Sequence, residues 1–206
     1  FTLFIDPGYY DEPFTLPENI NIVGRDKHSV IIAVNTQYNQ NDVLTDNTSN
    51  TLNLIELNHS NQLKNLTIQV SSLDDIHGIK TINVLYSQNK SNLLFDNILL
   101  IDNNTINCIN LALNFVSIYG GTNNTIKYVD ATLNGNYKKL VAIYCRQTQT
   151  TIQDTAINIY NESANNYCIF LELNTINNIN IRNTILKIES GGNNYGILHN
   201  NSYSSI

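Results

Sequence analysis

The densest set of reactive side chains in this sequence is Asp74-Asp75-Ile76-His77-Gly78. Two carboxylates can act as the acid and the base of glycoside hydrolysis, and a histidine beside them can carry a proton near neutral pH. A run of Asp before a glycine is also an ordinary turn with solvated carboxylates, and that use is the commoner one. The thiols are Cys108, Cys145 and Cys168, whose spacing fits no zinc motif. Charged residues make up only 14% of the 206, with a formal net charge of −6. Acids, bases and metal ligands are therefore scarce, and no cofactor is implied. The acidic balance argues against nucleic acid, whose phosphates need a basic footprint. No apolar run approaches the roughly 18 residues that span a bilayer. The opening lacks the basic flank and apolar stretch of a secretory leader, and the chain has no Met even at position 1. It reads as a mature product or as a piece of a longer one.

The elements that must position these groups are repeats. Asn occurs 37 times and Ile 28 times. Five segments align without gaps: Leu63 to Val70, Leu94 to Ile101, Ile126 to Leu133, Ile152 to Ile159 and Ile181 to Ile188. Their first, sixth and eighth positions are aliphatic throughout. The third is Asn65, Asp96, Tyr128, Asp154 or Asn183. A second strand follows at a near-constant offset, marked by Ile79, Ile109, Ala142, Ile169 and Ile197. Alternation at the sixth and eighth positions is the strand period, and β-branched residues suit a pleated surface. Asn or Asp shortly after an aliphatic marks a sharp turn, because its side chain tolerates the left-handed region. No segment keeps a helical stripe. Each unit is too thin to bury its own apolar face, so units must stack about 4.8 Å apart into a continuous core, with Asn ladders along the stack. The expected fold is all-β, a right-handed parallel β-helix of six to seven coils.

Stacking decides which side chains meet. At the ninth position Asp102 and Glu189 fall three coils apart, roughly 14 Å, too far for a glycosidase pair. Asp96 and Asp154 are expected in turns, and no Arg faces an acid. Cys108 and Cys168 fall two coils apart, about 9.6 Å, beyond disulfide reach, so the thiols are expected free and buried. Tyr167 and Tyr195 share one position on adjacent coils, which His77 and Asn107 hold in the first two regular coils. Tyr167, Tyr195 and His77 are thus the candidate ligand-binding residues, for a glycan resting on a ring. The competing reading is a surface-stiffening cross-strand pair. No catalytic and no metal-binding residue is assigned.

Phe4 to Gly24 (FIDPGYYDEPFTLPENINIVG) resembles the opening coil of the pectin-lyase-like superfamily, with Pro7, Gly8, Tyr10, Leu16, Pro17, Asn19, Ile20, Ile22 and Gly24 matching. The resemblance implies the β-helix and leaves function open, since that superfamily holds enzymes, adhesins and tailspikes. Polygalacturonases of this fold use an Asp pair and a His-Gly motif on different coils. The adjacency of Asp74, Asp75 and His77 departs from that pattern. Residues 1–19 read as a lead-in covering the first coil, 20–62 as an irregular first coil with a polar loop at 35–50, and 63–206 as regular coils. No helix closes the far end, so a continuation or another chain, a second copy or a virion protein, is expected to cover it. The Asn- and Ile-rich usage resembles repeat proteins of giant DNA viruses of amoebae and adhesin-like proteins of A+T-rich microbes. The expectation is a non-catalytic structural or surface protein of a virion or cell, with a glycan-binding adhesin or tailspike-like module second, and a polysaccharide lyase or hydrolase third.

Overall fold

A computed structural model describes residues 1–11, 14–35, 50–73, 79–104, 107–161, 165–172 and 179–200. Every described strand pairing is parallel, and no helix occurs among the described residues. The strands form two sheets. Sheet A stacks β1 (Thr2–Ile5), β4 (Asn21–Gly24), β7 (Gln62–Ser72), β9 (Leu94–Asp102), β11 (Asn124–Lys127) with β12 (Asp130–Leu133), β14 (Thr150–Asn161) and β16 (Ile179–Ser190). Beside its early layers lie β2 (Gly8–Tyr10) and β5 (Val30–Asn35). Sheet B stacks β3 (Phe14–Thr15), β6 (Thr51–Glu56), β8 (Thr81–Gln88), β10 (Cys108–Tyr119), β13 (Tyr137–Arg146), β15 (Asn165–Glu172) and β17 (Asn193–Asn200). The chain alternates between the sheets and climbs one layer per turn, which is a parallel β-helix. Five regular turns follow the lead-in and the irregular first coil.

The core is a set of rows running along the stack. One row is Leu3, Ile22, Leu63, Phe95, Ile126, Ile152 and Ile181, each opposite the next in register. Another is Ile32, Ile68, Leu100, Ala131, Ile157 and Leu186. Their middle members are buried. Such rows form because each layer repeats the same inward positions at the strand spacing.

The turn after the first position uses the left-handed region in every regular coil. Asn65, Asn97, Tyr128, Asp154 and Asn183 have φ between 48° and 56°. Asn97 Nδ2 donates to Asn65 Oδ1 at 2.9 Å, and Asn183 Nδ2 to Asp154 Oδ1 at 3.1 Å. Tyr128 separates these two short ladders. A second ladder joins Asn123 to Asn92 at 2.8 Å, again at positive φ. Gly24 is required by closeness: a Cβ there would lie 2.1 Å from the Asn65 carbonyl oxygen.

Two registers differ from the sequence expectation. Leu63 faces Phe95, not Leu94, so the second repeat starts one residue later. Asn97 rather than Asp96 holds the turn, and Asp102 moves from the outward ninth position to the inward eighth. The eighth position is therefore not always aliphatic. The cause is that Leu94 and Phe95 are both apolar, and a gapless alignment cannot choose between them. In sheet B, Ile197 and Ile169 face Ile143, Val116 and Leu85, rather than Ala142, Ile109 and Ile79. Ile109 is exposed. The first two regular coils carry longer connections between their sheets, which a constant offset conceals.

Candidate functional site on the outer face of sheet B

Three outward rows cross sheet B. The first is Asn53, Asn83, Asn114, Val141, Tyr167 and Tyr195. The second is Glu56, Tyr86, Ser117, Tyr144, Phe170 and Leu198. The third is Gln88, Tyr119, Arg146, Glu172 and Asn200. Asn side chains fill the early layers of the first row: Asn83 Nδ2 donates to Asn53 Oδ1 at 2.8 Å, and Asn114 Nδ2 to Asn83 Oδ1 at 2.9 Å. Ser117 Oγ also donates to Asn83 Oδ1, at 2.8 Å. The later layers are aromatic.

The rings form one chain of contacts. Tyr86 to Tyr119, Tyr119 to Tyr144 and Tyr144 to Phe170 are tilted pairs with centroids 5.5, 5.1 and 5.4 Å apart. Tyr167 stacks on Phe170 at 5.1 Å and on Tyr195 at 5.0 Å, the latter pair within 8° of parallel. Lys139 Nζ lies over three of them, 4.2 Å from the Phe170 centroid, 5.3 Å from Tyr167 and 5.6 Å from Tyr144. The Tyr144 hydroxyl donates to Glu172 Oε2, which also lies 3.7 Å from Arg146 Nε. Val141, Tyr144 and Phe170 are buried and form a small apolar cluster separate from the main core.

Burial sets the protonation of this face. It raises the Tyr144 hydroxyl, and the hydrogen bond to Glu172 raises it further. It pushes Tyr119 up to about 12 and raises Tyr86 and Tyr167. It lowers Lys139, whose ammonium is recovered in part by Glu172 and by the ring faces. The phenols therefore stay protonated and can hydrogen-bond without acting as nucleophiles.

Of the expected site residues, Tyr167 and Tyr195 are brought together as direct neighbours. The position assigned to His77 and Asn107 belongs to Asn83 and Asn114. His77, with the whole 74–78 turn, lies outside the described residues, as do 36–49 of the polar loop and the terminal 201–206. Arg146 beside Glu172 is an Arg facing an acid on the next coil, which the misaligned register concealed. Asp96 likewise sits between Lys64 and Lys127 in register, 3.2 Å from the Lys127 ammonium.

A second polar cluster is internal. Asp102 is fully buried at the end of β9. Its Oδ1 accepts from the Asn104 amide at 3.0 Å and the Tyr137 hydroxyl at 3.1 Å, and its Oδ2 from the Gly135 amide at 2.8 Å. Burial nonetheless pushes its carboxyl up to about 6. Asn104 Oδ1 accepts from the Leu73 amide at 3.2 Å, and the Cys108 thiol donates to the Leu73 carbonyl at 3.2 Å. This knot ties three successive coils. All three cysteines are buried thiols outside any disulfide, and burial pushes Cys145 and Cys168 up to about 12. Among the described residues no group of three His, Cys, Asp or Glu could hold a metal ion.

The strand order alone defines the class, a parallel β-helix solenoid. Among solved structures the chain is similar to a crystal structure of a pectin methylesterase mutant in complex with a hexasaccharide, with 16% identity and a TM-score of 0.47. The match covers 83% of this chain and 61% of that one. No protein-family profile matches the chain, and no curated protein matches it.

Proposed function

We propose that the chain is a non-catalytic structural β-helix, a stiff surface element of a virion or cell. The observation that carries this reading is the use made of its polar and aromatic groups. Asn, Tyr and charged side chains are engaged with the equivalent position of the next coil, from Asn65 with Asn97 to Tyr167 with Tyr195. Ring faces stacked on one another at 5.0 Å are closed to a sugar ring. Carboxylates at the surface are likewise taken: Glu172 by Tyr144 and Arg146, Asp96 by Lys127, Asp130 by Lys27. The asparagine-rich, weakly charged composition fits display at a surface. The test is turnover. The protein is incubated with methyl-esterified and with free polygalacturonate, and methanol, unsaturated ends and reducing ends are measured. No product is expected. Turnover abolished by Glu172→Gln would overturn the reading.

A second reading, glycan binding, is favoured by one observation. The aromatic chain ends at Tyr195, a residue that is 38% exposed, and Arg146 and Glu172 lie on the same face. Rings with polar neighbours suit a hydroxyl-rich ligand. The chain has no Trp and five of its twelve Tyr lie on this face, so part of the tyrosine emission reports on it. Saturable change with an oligosaccharide, lost in Tyr195→Ala, would favour it.

A further inference from the structure

Three tyrosines on the outer face of sheet B follow one another along three successive coils. The ring centroids of Tyr86 and Tyr119 are 5.5 Å apart, and those of Tyr119 and Tyr144 are 5.1 Å apart. Tyr86 and Tyr119 are half-buried, whereas Tyr144 is only 6% exposed. The next ring is Phe170, 5.4 Å from Tyr144. The two ends of this series differ in where their phenol protons point. The Tyr86 hydroxyl donates to the amide oxygen of Gln88, at 2.9 Å. The Tyr144 hydroxyl donates to a carboxylate oxygen, Glu172 Oε2, and Arg146 Nε lies 3.7 Å from the same oxygen. β8, β10, β13 and β15, which carry these residues, each have a paired strand on both sides, so the arrangement does not depend on where the chain begins or stops.

We infer that Tyr144 is a one-electron redox site, reached through Tyr86 and Tyr119 and coupled to proton transfer onto Glu172, with one-electron oxidants at the surface as its reaction partners. A phenol gives up an electron readily only when its proton leaves too, because the radical cation is a strong acid. At Tyr144 a retained positive charge would sit in a desolvated cluster, 5.6 Å from the Lys139 ammonium and close to Arg146, which is costly. Glu172 removes that obstacle without water. The oxidant takes one electron from Tyr86 or Tyr119, and an electron from Tyr144 refills that ring. The Tyr144 O–H bond breaks and its proton bonds to Glu172 Oε2. The products are a neutral tyrosyl radical, a protonated Glu172 and the reduced oxidant. The radical settles on Tyr144 rather than Tyr86 because a carboxylate is a far stronger base than an amide oxygen. Phe170 has no phenol proton to lose, so the series of phenols stops there. At rest, burial and the bond to Glu172 keep the Tyr144 phenol protonated, with its proton in place to be given up. Val141 and Phe170 pack around the ring and shield the radical from a second one.

The test is flash–quench oxidation of the whole chain, with photogenerated tris(bipyridine)ruthenium(III) as the oxidant. Transient absorption and electron paramagnetic resonance of frozen samples read the tyrosyl radical, and circular dichroism checks the fold of each variant. The unaltered chain should give a long-lived radical that forms more slowly in deuterated water. Tyr144→Phe keeps the ring and loses the O–H, and should leave only short-lived signal from other tyrosines. Tyr119→Phe interrupts the series and should slow the appearance of the long-lived radical. Glu172→Gln removes the base and should slow it by about a hundredfold. A radical of unchanged yield and lifetime in Tyr144→Phe would overturn the inference, and so would unchanged kinetics in Glu172→Gln. Should Glu172→Gln unfold, the deuterium effect takes its place, and equal rates in the two solvents would overturn the inference.

Discussion

Asp102→Asn should remove a specific pH dependence from the stability of this fold. Asp102 occupies an inward position that the neighbouring coils fill with Val70 and Leu133. Its carboxyl rises from 3.8 to about 6 because burial outweighs the three hydrogen bonds it accepts. Between these two values the folded protein keeps the proton while the unfolded chain releases it. The native state then binds more protons than the unfolded one, so stability falls as pH rises. The contribution is complete below about 3.8 and is lost by the time pH has passed about 6. A rise of about two pH units corresponds to about 3 kcal/mol. Asn cannot ionise and carries no such dependence. Urea unfolding of both proteins at pH 4, 5, 6 and 7, followed by circular dichroism, gives the difference in unfolding free energy. That difference should shift by about 2 kcal/mol in favour of the variant from pH 4 to pH 7, since part of the contribution is already lost at pH 4. Parallel curves would refute the reasoning and would mean that Asp102 is solvated or faces outward.

Other consequences concern packing. Ile157→Ala leaves a cavity in the row between Ala131 and Leu186 and should cost about 2–5 kcal/mol in denaturant unfolding. Gly24→Ala drives a Cβ into the Asn65 carbonyl and should cost about 1–3 kcal/mol, although residue 24 carries no functional group. The three thiols should not react with an aromatic disulfide reagent at pH 8 until denaturant is added, because they are buried and two are raised to about 12. Rapid labelling of the native protein would contradict the packing of sheet B.

The fold was legible because it is written repeatedly. Ile or Leu at fixed spacing, with Asn or Asp in a left-handed turn, recurs often enough to survive a single error. Asn65, Asp154 and Asn183 were placed correctly by that rule, and Tyr128 takes the same φ although nothing about a tyrosine announces it. The absence of a disulfide followed from stacking distance, although Cys108 in fact faces Tyr137 rather than the row of Cys168. The site was harder to read, because a one-residue slip exchanges faces. Leu94-Phe95 offered two apolar starts, and choosing the first turned a buried Asp102 into a surface residue. The sheet B offset placed Tyr167 with Tyr195 correctly, because those two coils have short, similar connections. It failed earlier in the chain, so the chain of rings from Tyr86 to Phe170 and the Arg146 and Glu172 pair stayed hidden.

The stacking register is the claim on which the rest depends, and engineered cross-links test it most directly. Gln69 and Ile101 face one another on adjacent coils and are both partly exposed. Neighbouring in-register strands bring their Cα atoms within the range of about 4.4–6.8 Å that a disulfide spans. Gln69→Cys with Ile101→Cys should oxidise readily to an intramolecular bridge, visible as faster migration in non-reducing electrophoresis. Gln69→Cys with Leu100→Cys should not, because Leu100 points into the core. Bridging of the second pair in preference to the first would put Asp102 outside, and would contradict both the register and the buried knot built on it.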